Sequence, residues 1–358
     1  MPATKAHSPE VSVVVPLYNG SAFIEETLQS LLSQSLDEIE IIVIDDASPD
    51  RGKGLQVCRS LADSRVRILR NEVNLGVCGA RNRGLAEARG QFIAMSDQDD
   101  ISEPDRLARS VARLKENTSL GAIATAAYML ENGRRRRYYR GGIPWWILGW
   151  RLLLWFSIVH SSICYRRETL LKHGLQYDDR YRYADDFVML GRVAAVSKVE
   201  VLSDYLVTYR EHEAASSWSH AKAMNDSGVR WFRDQLQTRF EMEVSIDVAR
   251  DCWGMFGSGI APASEAALLA CGKVFWDIFD HYCRWARLGQ SQRMRLAQVA
   301  SRRWWRGVTA FCRKNRRSDS MRLFKAVGPA EANAELKLGE RITAQAGIRL
   351  RRYFRKRA

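Results

Sequence analysis

The pattern best suited to chemistry is the acidic run DQDD at 97–100, which follows the apolar segment QFIAM at 91–95. Neighbouring carboxylates repel one another unless a positive charge neutralises them, and Mg²⁺ or Mn²⁺ is commonly held by one or two carboxylates together with substrate phosphates. The run therefore indicates a divalent-cation site. The alternative is an acidic loop that stabilises a helix starting at Pro104. An EF-hand is excluded because the sixth loop position is not glycine and Pro104 interrupts the loop.

Two further aspartate pairs and one histidine have a chemical and a structural interpretation. Asp45 and Asp46 follow another apolar segment, where they either cap a turn or accept hydrogen bonds from a nucleotide base or a ribose hydroxyl. Asp185 and Asp186 stand at a predicted helix start, where they either cap the helix or supply a general base. His212 is either a surface loop histidine or a ligand.

The elements that must position these groups alternate between short β-branched runs and amphipathic segments. This alternation predicts an α/β sheet with parallel strands. Ligands of such sheets bind beyond the carboxyl ends of the strands, so we expect both acidic clusters and Tyr18 to converge on one edge. The predicted strands are 11–16, 39–45, 66–70, 91–95, 123–130 and 205–210, and the predicted helices are 21–35, 78–89, a segment after Pro104, and 185–197.

Beyond residue 220 the pattern changes to long helical segments, at 264–288, 291–317 and 330–357. From residue 281 onward the sequence has 21 Lys and Arg against 4 Asp and Glu, whereas the first 280 residues have 34 against 37. A basic region attached to a nearly neutral body favours an anionic partner, either a lipid surface or a nucleic acid, over a merely solvated surface. Aromatic residues among the arginines favour an interfacial membrane helix; these are Trp304, Trp305, Phe311, Phe324, Tyr353 and Phe354.

The composition narrows the class of protein. A chain of 358 residues suggests about two domains, and 46% apolar with 27% charged residues excludes a disordered or collagen-like chain. Seven cysteines without a CxxC pair indicate no disulfide framework and a reducing compartment. The first ten residues contain no apolar stretch, so we expect no signal peptide. The Trp-rich segment 143–159 contains Arg151 and is too short to span a membrane, so we expect it to be buried or interfacial.

In order and spacing, the motifs between residues 11 and 217 resemble those of the family 2 glycosyltransferases, which have a GT-A fold. VSVVVPLYNG resembles the opening strand and its turn, and IIVIDDASPD resembles the second strand with its paired aspartates. NLGVCGARNRGLAEARGQFIAMSDQDD resembles the long block that ends in the acidic run, and PDRL follows at the usual place. HSSICYRRETLLKHG, ADDFVML and YREHEAASS resemble the segments around the catalytic helix and the closing histidine motif. Nothing recognisable covers 220–358.

The resemblance implies roles in donor binding for five matching residues. Pro16, Tyr18, Asn19 and Asp46 would hold the nucleotide, with Asp46 accepting a hydrogen bond from the base N–H, and Asp97 would contact the ribose. The sequence departs from the family before Asp97, where Ala-Met-Ser replaces the usual apolar pair.

The resemblance also implies the residues that carry the reaction. Asp99, with His212, would ligate the Mn²⁺ or Mg²⁺ that bridges the diphosphate, and Asp186 would deprotonate the acceptor hydroxyl. Asp185 stands where the family usually has glutamate, a change that keeps the charge. A glycoside hydrolase would instead need two carboxylates on either side of the bond and no nucleotide pocket.

The sequence thus predicts a mixed, mainly parallel GT-A sheet flanked by helices over 10–220 and a helical, strongly basic region over 221–358. The implied activity is that of an inverting, metal-dependent, hexosyl-type transferase. It would move a sugar from a nucleotide-diphosphate donor, UDP by default, to a hydroxyl of a glycan or lipid-linked glycan in surface polysaccharide assembly. The expected location is peripheral, at the anionic cytoplasmic face of a membrane.

Two alternatives remain open from the sequence. A nucleic-acid-binding protein would use the basic region, but it leaves the acidic motifs unexplained, and we expect no nucleic-acid partner. A glycan-binding pseudoenzyme on the same scaffold would bind donor or acceptor without turnover, and the presence of both Asp99 and Asp186 argues against it.

Overall fold

The computed structural model describes residues 8–154, 158–212 and 220–327. The chain divides into two compact units, Met1–Gly228 and Val229–Ala358. The division falls inside a helix that begins at residue 221, which is also where the predicted C-terminal region begins. Within the described part of the chain, no helix is both long enough and apolar enough to cross a membrane.

The N-terminal unit is built on one nine-stranded sheet in the order β3-β2-β1-β4-β8-β6-β9-β5, with β7 paired to β6. Parallel pairing joins β1, β2, β3 and β4, and also β6 with β9, whereas β5, β7 and β8 pair antiparallel. The mixed, mainly parallel sheet that the sequence predicts is therefore confirmed. The strands are β1 (Val11–Leu17), β2 (Ile39–Asp45), β3 (Val66–Arg70), β4 (Phe92–Met95), β5 (Ile101–Ser102), β6 (Leu120–Glu131), β7 (Arg134–Tyr139), β8 (Cys164–Arg166) and β9 (Lys198–Arg210).

Helices cover both faces of this sheet. The central strands are apolar on both sides because alternate side chains point to opposite faces and each face is covered. Val13 and Val15 of β1 share a core with Leu28, whereas Val14 faces Gly84, where a Cβ would lie 2.3 Å from the valine methyl group. The helices are α1 (Ile24–Leu32), α2 (Lys53–Ser60), α3 (Gly76–Glu87), α4 (Arg106–Glu116), α5 (Trp145–Leu154), α6 (Arg167–Lys172) and α7 (Asp185–Val196).

The Trp-rich segment forms helix α5 and contributes to the core of the N-terminal unit. Trp150, Leu152 and Leu153 are fully buried, and α5 packs against α7 and β9. Of the two expected placements, the described part of this segment therefore adopts the buried one. Residues 155–157 of the segment lie outside the described residues.

The C-terminal unit is helical, as expected. Ser245 and Ser264 cap two of its helices by accepting hydrogen bonds from the backbone N–H groups of Val248 and Ala267. The predicted helix at 330–357 lies outside the described residues. The helices are α8 (Ala221–Phe240), which the two units share, α9 (Ile246–Trp253), which continues into a π-helical turn at Gly254–Ser258, α10 (Glu265–Trp285), α11 (Gln290–Lys314) and α12 (Ser320–Lys325).

The aromatic residues of the basic region fill the core of the C-terminal unit. Trp304, Phe311 and Phe324 are buried, and the Trp304 ring stacks on Phe275 with centroids 6.2 Å apart. The expectation that these three side chains lie at a membrane interface is wrong, because α11 turns its apolar face inward and leaves its arginines outside. Trp305 is partly buried, and Tyr353 and Phe354 lie outside the described residues.

Candidate active site

The loops after β1, β2 and β4 meet at one edge of the sheet because these neighbouring parallel strands end together. The N–H of Asp46 donates to the Leu17 carbonyl at 2.9 Å, and the N–H of Ser96 donates to the Val14 carbonyl at 3.0 Å. The acidic run at 97–100 therefore begins beside the Tyr18 turn. The structure brings the predicted donor-binding residues, which lie far apart in sequence, into adjacent loops.

Asp46 is buried beneath the loop that follows β3. Its Oδ1 accepts hydrogen bonds from Asn71 Nδ2 at 2.6 Å and from the Leu75 N–H at 2.9 Å. Among the described residues its Oδ2 has no partner, so this oxygen is the one available to a base N–H. The neighbouring Asp45 is also buried and pairs with Arg70 at 3.2 Å. Asp46 therefore orders the 71–75 loop in addition to its predicted role, and this contact was not apparent from the sequence.

The Gln98 side chain joins the β1 turn to the acidic run. Its Oε1 accepts the Tyr18 N–H at 2.8 Å, and its Nε2 donates to the Tyr18 carbonyl at 3.1 Å. A Cβ at Gly20 would lie 2.3 Å from Gln98 Oε1, so a larger residue there would displace the Gln98 side chain. Asn19 adopts a left-handed backbone with φ of 52°, and the Tyr18 ring is about half exposed, open to a stacking base. Pro16 lies in β1, opposite Ile44.

Asp99 and His212 are in direct contact although 113 positions separate them. The distance between His212 Nε2 and Asp99 Oδ2 is 2.9 Å, and both side chains are 19% exposed. Arg210, at the end of β9, fixes this geometry by donating from Nε to the Asp99 carbonyl at 3.0 Å. Burial and the nearby Asp97 charge raise the pKa of Asp99, against the opposing effect of His212. The pair that the resemblance assigns to the cation is therefore assembled at the same edge.

Asp99 and His212 fit as two ligands of a divalent cation, and groups outside the protein would complete its coordination shell. Within the described ranges, no three His, Cys, Asp or Glu side chains cluster closely enough to hold a metal by themselves. A carboxylate oxygen is a ligand that Mg²⁺ and Mn²⁺ accept, and these ions usually complete their shell with phosphate oxygens and water. Asp99 and His212 would thus hold the cation, with a diphosphate supplying further ligands.

The buried guanidinium of Arg81 in α3 links Asp97 to Asp185. Arg81 is only 7% exposed; its Nη2 donates to Asp97 Oδ1 at 2.8 Å and its Nη1 donates to Asp185 Oδ2. Burial alone would raise the pKa of Asp97, but the Arg81 guanidinium and the His160 ring outweigh it and hold that pKa well below its usual range. Asp97 is therefore held as a carboxylate.

A short helical turn at His160–Ser162 supports the acidic run from the opposite side. His160 Nδ1 lies 3.3 Å from Asp97 Oδ1, and its Nε2 lies 2.9 Å from the Tyr177 hydroxyl. Ser161 Oγ accepts the Asp97 N–H at 2.9 Å and donates to the Asp100 carboxylate. The sequence analysis gave no role to His160, Ser161 or Arg81. The only signal for them was their presence inside motifs of the resembling family.

Asp185 and Asp186 are adjacent, but their surroundings differ. Asp185 is buried and paired with Arg81, whereas Asp186 is partly exposed and has no cation within hydrogen-bonding distance among the described residues. Burial, followed by the negative charge of Asp185, raises the pKa of Asp186. A carboxyl group with a raised pKa is a better proton acceptor when ionised, which suits a general base. Asp185 instead positions Arg81.

Comparisons with known proteins point to glycosyltransferases. Residues 12–173 match the model for glycosyl transferase family 2. An uncharacterized glycosyltransferase from Haemophilus influenzae is 28% identical over 249 residues, which cover 67% of this chain and 77% of that protein. The succinoglycan biosynthesis protein ExoO of Rhizobium meliloti is 28% identical over 223 residues, which cover 57% of this chain and 62% of that protein.

A solved structure shows the same fold. The crystal structure of S. aureus TarS 1–349 in complex with UDP-GlcNAc aligns with a TM-score of 0.59 at 19% identity, and the alignment covers 87% of this chain and 93% of that one. This likeness, together with the sheet described above, shows that the N-terminal unit has the GT-A fold. Residues 12–173 of this chain are thus similar to glycosyl transferase family 2.

Proposed function

We propose that this glycosyltransferase moves a sugar, with inversion, from a UDP-sugar to a hydroxyl of a glycan or lipid-linked glycan in surface polysaccharide assembly. The observation that carries the proposal is the gathering of Asp46, Asp99 with His212, and Asp186 at one sheet edge. The name of one relative refers to succinoglycan biosynthesis, and the TarS structure contains UDP-GlcNAc. The relative's name supports the proposed pathway type, and the TarS ligand supports the proposed donor class.

In the donor half of the proposed site, the nucleotide lies against the β1 turn. The Tyr18 ring stacks on the base and Asp46 Oδ2 accepts the base N–H. Asp97, which Arg81 and His160 keep ionised, accepts a hydrogen bond from a ribose hydroxyl. Each contact uses an oxygen or ring face that the protein positions through other bonds, so little ordering remains to be done on binding.

Asp99 and His212 hold the cation against the diphosphate in this proposal. When bound, a divalent cation stabilises the negative charge that grows on the leaving phosphate. The protein contributes the orientation of the two ligands, which Arg210 maintains through the Asp99 carbonyl. Mn²⁺ and Mg²⁺ are the two candidates.

Asp186 takes the proton from the acceptor hydroxyl as that oxygen attacks the anomeric carbon. One carboxylate acting on the face opposite the leaving diphosphate gives a single displacement, and this inverts the anomeric centre. Asp185 cannot share this role while its carboxylate is bonded to Arg81. The adjacent pair therefore divides between positioning and proton transfer.

Thermal denaturation with UDP, dTDP, GDP and CDP, each with and without Mn²⁺, tests the donor site. A ligand that binds only the folded state raises the melting temperature, so we expect UDP to raise it and Mn²⁺ to enlarge the shift. Asp99→Ala is expected to abolish the Mn²⁺-dependent part. Asp63→Ala, which removes an aspartate just before β3, is the control, and it should keep the Mn²⁺-dependent part of the shift. A metal effect that survives in Asp99→Ala would refute the ligand assignment, and no response to any nucleotide would refute the donor site.

The basic surface of the C-terminal unit is proposed to bring the enzyme to an anionic membrane face. Arg302, Arg306 and Arg313 are exposed along α11 at helical spacing, opposite its buried aromatic face. Flotation with phosphatidylglycerol vesicles compares the full chain with a variant that has glutamine at these three positions. We expect the variant to float less. Equal flotation would exclude this surface as the membrane contact.

A further inference from the structure

The hairpin of β6 and β7 carries a strongly charged exposed surface. A tight turn at Asn132 and Gly133, both with positive φ, joins the two strands. The segment after the turn reads RRRRYYR, with five arginines between positions 134 and 140. All five are exposed. We call residues 134–140 the basic ribbon.

The Tyr139 end of the basic ribbon lies next to the His160 turn. β6 pairs first with β8, at Ala122 and Ile123, and then with β7, from Ala127 onward. The ribbon therefore follows the same side of β6 as β8, just beyond the turn that carries His160. Ala127 packs with Val159 and Tyr139 at this point. From there the paired strands extend to Glu131, a rise of about 13 Å at ~3.3 Å per residue.

The other side of β6 also leads to the site. β9 pairs with β6 through Tyr209 and Arg210, and Arg210 in turn contacts Asp99. The hairpin is thus continuous with two structures that hold the acidic run, the His160 turn and the end of β9. A chain bound along the ribbon would have one end near the His160 turn, which contacts Asp97.

Two ribbon arginines stack on tyrosine rings. The Arg135 guanidinium lies 3.7 Å from the Tyr128 ring centroid, and that of Arg137 lies 5.1 Å from the Tyr205 ring centroid. The two tyrosine rings contact each other with centroids 4.8 Å apart. A stacked guanidinium keeps its N–H edge free and has already lost much of its rotamer freedom, which favours bidentate binding of carboxylate or phosphate.

The protein neutralises only part of the ribbon's charge. Arg135 pairs with Glu103, and Arg136 lies 3.5 Å from Glu131. The other three arginines, Arg134, Arg137 and Arg140, have no carboxylate partner among the described residues.

The ribbon also presents an aromatic face. Tyr138 is 46% exposed and stacks on Tyr209 with ring centroids 6.0 Å apart. Such a ring face packs against the apolar face of a sugar. Charges on an edge strand also prevent strands of different molecules from pairing, but that role requires neither stacked guanidinium groups nor an exposed tyrosine.

We propose that the basic ribbon binds an acidic glycan acceptor, with its guanidinium groups on the carboxylate or phosphate groups of the chain and Tyr138 against a sugar ring. This inference rests on the proposed function and adds the charge of the acceptor to it. A glycan fits better than a lipid surface, because the ribbon has arginine and tyrosine side chains but no aliphatic side chain to insert between lipids.

The test measures binding of polygalacturonate oligosaccharides to the full chain, with dextran oligosaccharides as the neutral control. The variant replaces Arg134, Arg137 and Arg140 with glutamine. A matched control has glutamine in place of Lys53, Arg59 and Lys172, which are exposed and lie elsewhere in the N-terminal unit. We expect the ribbon variant to bind polygalacturonate about tenfold more weakly or worse, and the control variant to bind like the wild type.

Four outcomes separate the possibilities. Loss of polygalacturonate binding in the ribbon variant alone, with an unchanged UDP-induced thermal shift, supports the proposal. Equal affinities in both variants overturn it, as does binding of phosphatidylglycerol vesicles through the ribbon without binding of polygalacturonate. Polygalacturonate binding by a wild type that responds to no nucleotide would overturn the proposed transferase activity, and with it the acceptor role.

Discussion

The buried arginines beside the site in the N-terminal unit and the exposed arginines of α11 in the C-terminal unit have different roles. In the N-terminal unit Arg81 is buried between two carboxylates, and Arg106 is buried at the end of β4, where it donates to Ser102 Oγ and to the Met95 carbonyl. Burial lowers the pKa of Arg106 to about 10. In the C-terminal unit Arg302 and Arg306 cover the outside of α11, whose inner face is Trp304. Buried arginines position the carboxylates and loops of the site, whereas the exposed arginines of α11 contribute the charge of a surface.

At the start of α7, Asp185 contacts the buried Arg81, whereas the adjacent Asp186 does not. Asp186→Asn is expected to reduce turnover by about 10²–10⁴-fold, because it removes the proposed proton acceptor. The UDP-induced thermal shift should stay unchanged. UDP release from a panel of UDP-sugars with acceptor present measures the turnover. Turnover close to that of the wild type would remove Asp186 as the base.

Removal of the buried cation itself should cost stability. Arg81→Met leaves Asp97 and Asp185 without their shared partner, and we expect the free energy of unfolding in urea to fall by about 3–5 kcal/mol. Arg109→Met is the control: Arg109 is exposed and its pair with Asp204 is at the surface, so the change should be within about 1 kcal/mol. Adding Asp185→Asn to Arg81→Met should recover part of the loss. Equal effects at positions 81 and 109 would contradict the distinction between buried and exposed arginine.

Truncation of a side chain on the inner face of α11 should cost stability, as it does in a buried core. Trp304→Ala is expected to lower the free energy of unfolding by about 3–5 kcal/mol, because it opens a cavity among Phe275, Phe324 and their neighbours. Trp285→Ala is the comparison, since this ring is partly exposed, and it should cost clearly less. Urea unfolding followed by circular dichroism measures both. A Trp304 variant as stable as the Trp285 variant would mean that α11 does not bury its aromatic face.

The outer face of α11 should give the smallest effect. Each of Arg302→Gln and Arg306→Gln is expected to change the free energy of unfolding by no more than about 0.5 kcal/mol, because neither removes a buried contact. The same urea experiment measures the change. A loss comparable to that of Arg81→Met would show that these arginines support the fold and are not only surface charge.

The sequence predicted the central strands and their acidic ends because these depend on local patterns. β1, β2 and β4 are short apolar runs bounded by turn residues, and such runs identify buried parallel strands. Other elements carry no such pattern. β7 reads RRRRYY without apolar alternation, β8 has only three residues, and α2 is mostly polar. Pairing with neighbours, rather than propensity, places them in the structure.

Residues of the candidate site could be predicted only where the residue type and its position in the sequence indicate a chemical role. Aspartates beyond a strand end are conspicuous, whereas an arginine in a helix is usually exposed. The partners of Arg81 lie 16 and 104 positions away, so neither its burial nor its role follows from the local sequence. The prediction that the aromatic residues of α11 lie at a membrane interface was wrong. Interleaved arginine and tryptophan are compatible with a membrane face and with a packed core alike.

The two hydrogen bonds between Gln98 and the backbone of Tyr18 have a thermodynamic consequence. Asp99 is the next residue after Gln98, so a nucleotide base bound as proposed at the Tyr18 turn would also restrict the backbone of Asp99, the proposed cation ligand. If both bind as proposed, base and cation are heterotropic ligands, and each should raise the affinity of the protein for the other by the same factor. A larger side chain at Gly20, which would displace Gln98, should remove this reciprocity without touching either ligand.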